Sequence, residues 1–207
     1  MRILKSLVIL LLVATPAVAQ NPTDFNVWIS WADISGENEP EPGIKIDFES
    51  ASGFGVSANW FLTPHLSTEL GVLALKSDGT IDVEEFAEEI DLGSLDLIPV
   101  TLIAQFHFAR DSRIDPYVGV GAAYVMADDL DSDDLDLLQV GSVEVDDEFT
   151  YVINAGLGLQ VTSGFGIVID GKYIALEPAT RGEGSTEDEL DLELNPLIVS
   201  VGLRWRF

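Results

Sequence analysis

The chain has 207 residues, with 36 Asp and Glu against 10 Lys and Arg, two His and no Cys, for a formal net charge of −26. Such acidity excludes a nucleic-acid partner, which needs a basic footprint. The lack of cysteine excludes disulfides, thiol chemistry and Cys-based metal sites. Yet apolar residues make up 47% of the sequence, so charge and apolarity must be segregated along the chain rather than mixed as in a disordered one.

Residues 1–19 read as a cleaved secretory signal. Arg2 and Lys5 charge the start, Leu7 to Val13 is an unbroken apolar run, and Ala17-Val18-Ala19 supplies the small residues of a cleavage site. A membrane-spanning helix would need roughly 20 apolar residues, far more than this run offers. Cleavage after Ala19 leaves residues 20–207 as one domain, in which 8 Lys and Arg face 36 Asp and Glu, a formal charge of −28.

Beyond residue 20 the recurrent signal is alternation, the period of a strand with two unlike faces. The first predicted strand covers 25–34 and leads into a long stretch at 35–51. Strands at 52–62 and 66–76 follow, joined by the tight turn Thr63-Pro64-His65. An acidic stretch at 77–95 precedes a strand at 96–109, and a short turn from Arg110 to Ile114 opens the next at 115–126. The connection at 127–147 contains Asp128-Asp129-Leu130-Asp131-Ser132-Asp133-Asp134. In the strand at 148–162, Tyr151, Ile153, Ala155, Leu157, Leu159 and Val161 alternate with Val152, Asn154, Gly156, Gly158 and Gln160. Thr162-Ser163-Gly164 then turns into a strand at 165–177, and a last long stretch, 178–193, leads to 194–207. There Leu197, Val199, Val201, Leu203, Trp205 and Phe207 form one face, and Ile198, Ser200, Gly202, Arg204 and Arg206 the other.

Eight strands with short turns at one end and four long acidic connections at the other predict an all-β protein. The expected fold is an eight-stranded antiparallel transmembrane up-and-down β-barrel. The long loops would be extracellular, and both termini periplasmic, in the outer membrane of a Gram-negative bacterium. Aromatics support this placement. Phe25, Trp60, Phe106, Phe108, Phe165, Trp205 and Phe207 fall near the turn end, and Trp31, Phe54, Tyr124, Tyr151 and Tyr173 near the loop end. Two such girdles suit the two membrane interfaces. A soluble sandwich or lipocalin-like barrel would instead put Gly119, Gly121, Gly156, Gly158 and Gly202 on a water-facing surface, whereas small residues fit the crowded interior of a narrow barrel.

Several segments resemble the outer membrane protein W (OmpW) family. They are Phe54-Gly55-Val56-Ser57-Ala58-Asn59-Trp60-Phe61-Leu62-Thr63, Ile98-Pro99-Val100-Thr101 leading to Gln105-Phe106-His107-Phe108, Asp115-Pro116-Tyr117-Val118-Gly119-Val120-Gly121, and Asn195-Pro196 through Phe207. Asn21-Pro22 is similar to the mature start. Two features depart from the family: the loops are more acidic, and Glu69-Leu70-Gly71-Val72-Leu73-Ala74 keeps the Glu but not every flanking residue. The resemblance implies a narrow, partly apolar lumen that passes small hydrophobic compounds.

The inward face is expected to hold Trp28, Leu73, Ile103, Val152, Val168 and Ile174 beside Asn59, Glu69, Gln105, His107, Asn154, Asp170, Lys172 and Arg204. One reading is a closed plug, with Glu69, Asp170, Lys172 and Arg204 paired because buried charges must be. The other is a lumen apolar toward the outside and polar below, admitting apolar solutes. Leu203, Trp205 and Phe207, at two-residue spacing, look like a signal for the barrel-assembly machinery; plain lipid-facing burial explains them equally.

Asp129-x-Asp131-x-Asp133 has the carboxylate spacing of a calcium loop but lacks its Gly and places Val140 where the Glu belongs, so a solvated acidic loop is the better reading. Diffuse divalent cations shared with lipopolysaccharide fit the charge. His65 in a turn and His107 near the turn end lie away from the outer rim where a lipid hydrolase would need its base, so the chain reads as a non-enzyme without metal or cofactor. Two functions follow. One is a channel passively conducting small hydrophobic molecules. The alternative is a structural or surface-interaction barrel acting through its acidic loops in ion, phage or host contact.

Overall fold

The computed structural model describes residues 22–34, 38–41, 44–48, 50–83, 88–127, 143–145, 147–176, 179–182, 190–191 and 194–207. The signal segment 1–19 and the acidic run 128–134, with the calcium-like spacing and Val140, lie outside them.

Thirteen strands are described: β1 (Thr23–Asp33), β2 (Asn38–Glu41), β3 (Ile44–Phe48), β4 (Ala51–Phe61), β5 (Leu66–Val83), β6 (Glu88–His107), β7 (Ile114–Ala127), β8 (Val143–Val145), β9 (Glu148–Thr162), β10 (Phe165–Ile174), β11 (Ala179–Gly182), β12 (Leu190–Asp191) and β13 (Leu197–Arg206). Eight of them form a barrel in the order β5-β4-β1-β13-β10-β9-β7-β6, and pairing of β5 with β6 closes it. Every neighbouring pair is antiparallel. Closure matters physically because an open sheet edge in lipid leaves backbone N–H and C=O groups without partners.

The seam between the first and last strands runs from Asp24↔Arg206 to Asp33↔Leu197. Beyond it, the Phe207 N–H donates to the Thr23 carbonyl at 2.9 Å. Entry into β13 turns at Asn195, whose φ of 34° is a left-handed conformation that Asn tolerates. Its Oδ1 accepts the Leu176 N–H at 3.0 Å, fixing that bend against the end of β10.

The alternation sorts residues as anticipated for a membrane barrel and opposite to a soluble one. Ile29, Trp31, Phe54, Val120 and Phe149 stand 60%, 52%, 70%, 60% and 74% exposed on the outside, within a continuous apolar band. An apolar exterior of this extent is tolerated in lipid and marks an interaction surface in water. The inner face carries the polar and small residues together with a set of buried apolar ones.

At the loop end the architecture exceeds the expected one. The stretch 77–95, anticipated as a loop, is mostly strand: β5 continues to Val83 and β6 starts at Glu88, paired as far as Val83↔Glu88. Acidic residues and Gly79 give a loop-like composition, but β-branched Thr80, Ile81, Val83 and Ile90 favour the extended chain. Their backbone groups find partners across the hairpin, and β3 adds a further edge with Ile44↔Val83 to Phe48↔Gly79. β2 pairs with β3, while β8, β11 and β12 form a separate three-stranded sheet.

Candidate functional site: the layered lumen

The interior is built in layers, because each strand brings alternate side chains to successive depths. At the turn end Asp24 on β1 is gripped by Arg206 on β13, Nε to Oδ1 at 3.0 Å and Nη2 to Oδ2 at 3.1 Å. Arg204 and Arg110 approach the same carboxylate at 3.8 and 3.9 Å. Arg110 also lies over the Phe61 ring, 3.6 Å from its centroid. Arg204 Nε donates to Asn26 Oδ1 at 3.1 Å, and its Nη1 lies 3.8 Å from Asp115.

Asp115 is shared with His107, whose Nδ1 lies 2.8 Å from the carboxylate and whose Nε2 lies 3.0 Å from Ser67 Oγ. The imidazole stacks on Tyr117 with centroids 5.1 Å apart. Ser67, His107 and Asp115 therefore have the connectivity of a nucleophile, a base and its orienting acid. Ser67 and His107 are 0% exposed, however, so solvent reaches neither.

Above this floor Tyr117 Oη donates to Asp170 Oδ2 at 2.8 Å and Asn154 Nδ2 to the same oxygen at 2.9 Å. Lys172 donates to Asp170 and sits 3.5 Å from Glu69. Ser57 Oγ donates to Glu69 at 3.3 Å and accepts from both Asn26 and Trp28 Nε1 at 3.0 Å. Asn59 Nδ2 donates to Gln105 at 2.6 Å. Four buried acids, Asp24, Glu69, Asp115 and Asp170, thus meet four cations: Arg110, Arg204 and Arg206 share Asp24, Arg204 also reaches Asp115, and Lys172 serves both Glu69 and Asp170. Such balance offsets the desolvation that makes isolated buried charge so costly.

Inward glycines give the bulky members room. A Cβ at Gly156 would run into the Tyr117 ring and hydroxyl, and one at Gly202 would come within 2.7 Å of the Trp28 ring. Toward the loop end the lining turns apolar, through Leu73, Leu75, Leu95, Leu97, Val125, Ile174, Leu176 and Ile198, all at most 5% exposed.

All eight residues expected in the lumen (Trp28, Glu69, Leu73, Ile103, Gln105, Asp170, Lys172 and Arg204) point inward and are at most 5% exposed. Lys172 pairs with Glu69 and Asp170 as anticipated. Arg204 does not: it sits deeper, where Asn26, Asp24 and Asp115 are its neighbours. Leu203 and Phe207 point outward, 44% and 79% exposed, while Trp205 meets Phe25 and Phe165 on the outer wall. Asp24, Asp115, Tyr117 and Arg110 join the floor beyond the residues expected there, and Arg206 joins it from the face it shares with Arg204. Asp115 and Tyr117 share the parity of Gly119 and Gly121, a signal that would have placed them inside.

One wall has a gap in its pairing. The β5–β6 register runs from Leu66↔Phe106 to Val72↔Val100 and resumes at Leu75↔Leu97, passing over Leu73 and Ala74 opposite Ile98 and Pro99. Proline brings no N–H to a ladder, so the pairing is weakest where Pro99 sits. Leu73 lines the apolar lumen at that spot.

A closed eight-stranded barrel with an apolar exterior, aromatics toward both ends and a charge-balanced interior defines an outer-membrane β-barrel. The chain belongs to the OmpW family, whose model matches residues 29–207. The outer membrane protein AlkL of Ectopseudomonas oleovorans is 23% identical over 181 residues, covering 84% of this chain and 74% of that protein. Among solved structures, the outer membrane protein OprG from Pseudomonas aeruginosa superposes with a TM-score of 0.77 at 15% identity, over 90% of this chain and 96% of that one. E. coli outer membrane protein W gives a TM-score of 0.56 at 15% identity, over 91% and 100%.

Proposed function

We propose that the barrel passively conducts small hydrophobic molecules from its loop end into the membrane. The observation that carries this reading is the layering: an apolar upper lumen ends on a tightly paired charged floor, and the wall pairing lapses at the apolar level. A hydrocarbon entering among Leu75, Leu97 and Ile174 would lose solvation by water at little cost. It would meet the charged floor as a barrier, since that network offers nothing to an apolar solute and is expensive to break. The lapse at Leu73 and Pro99 then offers a sideways exit into lipid. The narrow, partly apolar lumen that the resemblance to the OmpW family implies is consistent with this reading.

In this reading the loops face outward, both termini are periplasmic, lipopolysaccharide surrounds the outer rim, and Leu203, Trp205 and Phe207 engage the assembly machinery. Ser67, His107 and Asp115 serve the plug rather than catalysis. A surface-interaction role is favoured by one separate feature, the strand-built projections beyond the barrel, β2–β3 with the β5–β6 extension and the β8–β11–β12 sheet.

The test is uptake of a small radiolabelled hydrocarbon into proteoliposomes, compared with empty vesicles, Leu73→Asp and Pro99→Val. Faster uptake that Leu73→Asp abolishes, and that Pro99→Val slows by restoring a ladder N–H, is expected. Uptake equal to that of empty vesicles would sink the channel and leave the loop projections as the functional part.

A further inference from the structure

The turn end carries an outward-facing feature that shares only Arg206 with the lumen floor. Asp111, Ser112, Arg113, Gln160, Ser163 and Arg206 line a shallow cavity, wide open to the outside, of about 330 Å³. At about 30 Å³ per water in the liquid, that is space for a group of roughly ten water volumes. In a chain of net charge −26, Arg110, Arg113, Arg204 and Arg206 gather at this end, the first, third and fourth against Asp24 or Asp115, and the cavity's own walls carry Arg113 and Arg206 beside one exposed acid, Asp111.

The chemistry of the lining is that of a dipolar ligand. Arg206 has five N–H donors. Two go to Asp24 and one to the Arg110 carbonyl at 3.2 Å, which leaves two. Its guanidinium is therefore held by Asp24 and the Arg110 carbonyl, with two N–H groups outside those bonds. Arg113 supplies a second, exposed guanidinium, and Ser112 and Ser163 add hydroxyls. Two guanidiniums with hydroxyls suit a phosphate, and Asp111 beside them suits an ammonium.

Depth in the membrane is fixed by a second observation. Phe165, Trp205 and Phe25 form an aromatic row across β10, β13 and β1 on the outer wall, with centroids 5.9 and 6.3 Å apart. The row adjoins the cavity, since the Arg206 N–H donates to the Gly164 carbonyl at 3.0 Å within the turn between β9 and β10. Such aromatics sit at headgroup level, so the cavity opens where lipid phosphates lie.

We propose that this cavity seats the phosphoethanolamine headgroup of a membrane phospholipid in the leaflet that the turns face. The phosphate sits between Arg113 and Arg206, and the primary ammonium donates to Asp111. A phosphocholine lipid fits less well because its quaternary nitrogen has no N–H to give. A phosphoglycerol lipid presents no cation to Asp111.

Native mass spectrometry of the full-length mature barrel in detergent, titrated with phosphatidylethanolamine, phosphatidylcholine and phosphatidylglycerol, tests the assignment. Retention of the ethanolamine lipid about tenfold tighter than the other two is expected, equivalent to one good charge-assisted contact. Arg113→Gln should weaken retention of all three lipids several-fold, since each presents a phosphate, and Asp111→Asn should level ethanolamine with phosphoglycerol. Both substitutions lie in an exposed turn, and unchanged heat-modifiable mobility on gels establishes that the barrel is folded. Equal retention of the three lipids, or wild-type retention by Arg113→Gln, would overturn the proposal. So would displacement of lipid by inorganic phosphate as effective as that by O-phosphoethanolamine, which would mark a plain anion site.

Discussion

Arg206 and Asp24 meet through two parallel hydrogen bonds, 3.0 and 3.1 Å long, that tie the last strand to the first. The carboxylate is 1% exposed and the guanidinium 18%, so the pair sits at the edge of the buried plug rather than on the surface. Asp24 is the hub, because Arg204 and Arg110 also approach it. Asp24→Asn is therefore expected to destabilise more than Arg206→Met: the first takes the shared charge from three cations, of which Arg204 keeps Asp115, while the second leaves the acid two others. Urea unfolding in lipid vesicles should show a loss of about 3 kcal/mol for Asp24→Asn and less for Arg206→Met. Equal losses would mean that Arg204 and Arg110 contribute nothing at this carboxylate.

Lys172→Met removes the one cation within reach of both Glu69 and Asp170 among the described residues. A loss of about 3–5 kcal/mol is expected, since two buried carboxylates are left facing each other. Adding Glu69→Gln and Asp170→Asn should recover most of it in the same unfolding assay. A triple variant no more stable than Lys172→Met would show that packing around the Trp28 ring, 5.1 Å from the ammonium, matters more than charge.

Gly156 faces Tyr117 so closely that any side chain there collides with the ring. Gly156→Val should cost about 1–3 kcal/mol or more through overpacking. Tyr117→Leu alone gives up the hydrogen bond to Asp170. Combined, the two should destabilise less than their sum, a coupling readable by a double-mutant cycle. Additive losses would place the strain of Gly156→Val against the Ile169 carbonyl instead.

Phe207 has two roles that substitution can separate. Its backbone closes the seam on Thr23, while its exposed ring is free of the barrel's interior. Phe207→Ala keeps the backbone bonds and is expected to lower the outer-membrane level several-fold in cells while leaving the stability of refolded protein within about 0.5 kcal/mol. Equal loss in both measurements would mean that the ring acts through lipid contact alone.

The strands of the barrel were legible because their period is local: each of the eight announces its own two faces without reference to a partner. The inward position of Glu69, Asp170 and Lys172 followed from the same parity. Partner choice did not follow. Arg204 pairs with Asn26 across a separation of 178 residues and Arg206 with Asp24 across 182, distances at which no sequence spacing speaks. The stretch 77–95 misled for a different reason. Asp78-Gly79 and the surrounding acids signal a turn, and their strand state depends on β3 and on the facing arm of the hairpin. Pro99 carries part of the resemblance to the family, yet its effect on the β5–β6 ladder appears only when its neighbour across the wall is known.

The seam on which the fold closes also sets the order in which it can form. Contacts between residues about 180 positions apart carry the highest loop-closure cost in the chain, so they are the slowest to arise. Until β13 reaches β1, both strands are naked edges able to recruit strands from other molecules. A chain shortened at either end keeps those edges permanently, whatever its hairpins achieve. Rescue by a folding catalyst that holds the two ends apart from competitors, and lets them meet late, is the kinetic demand written into this topology.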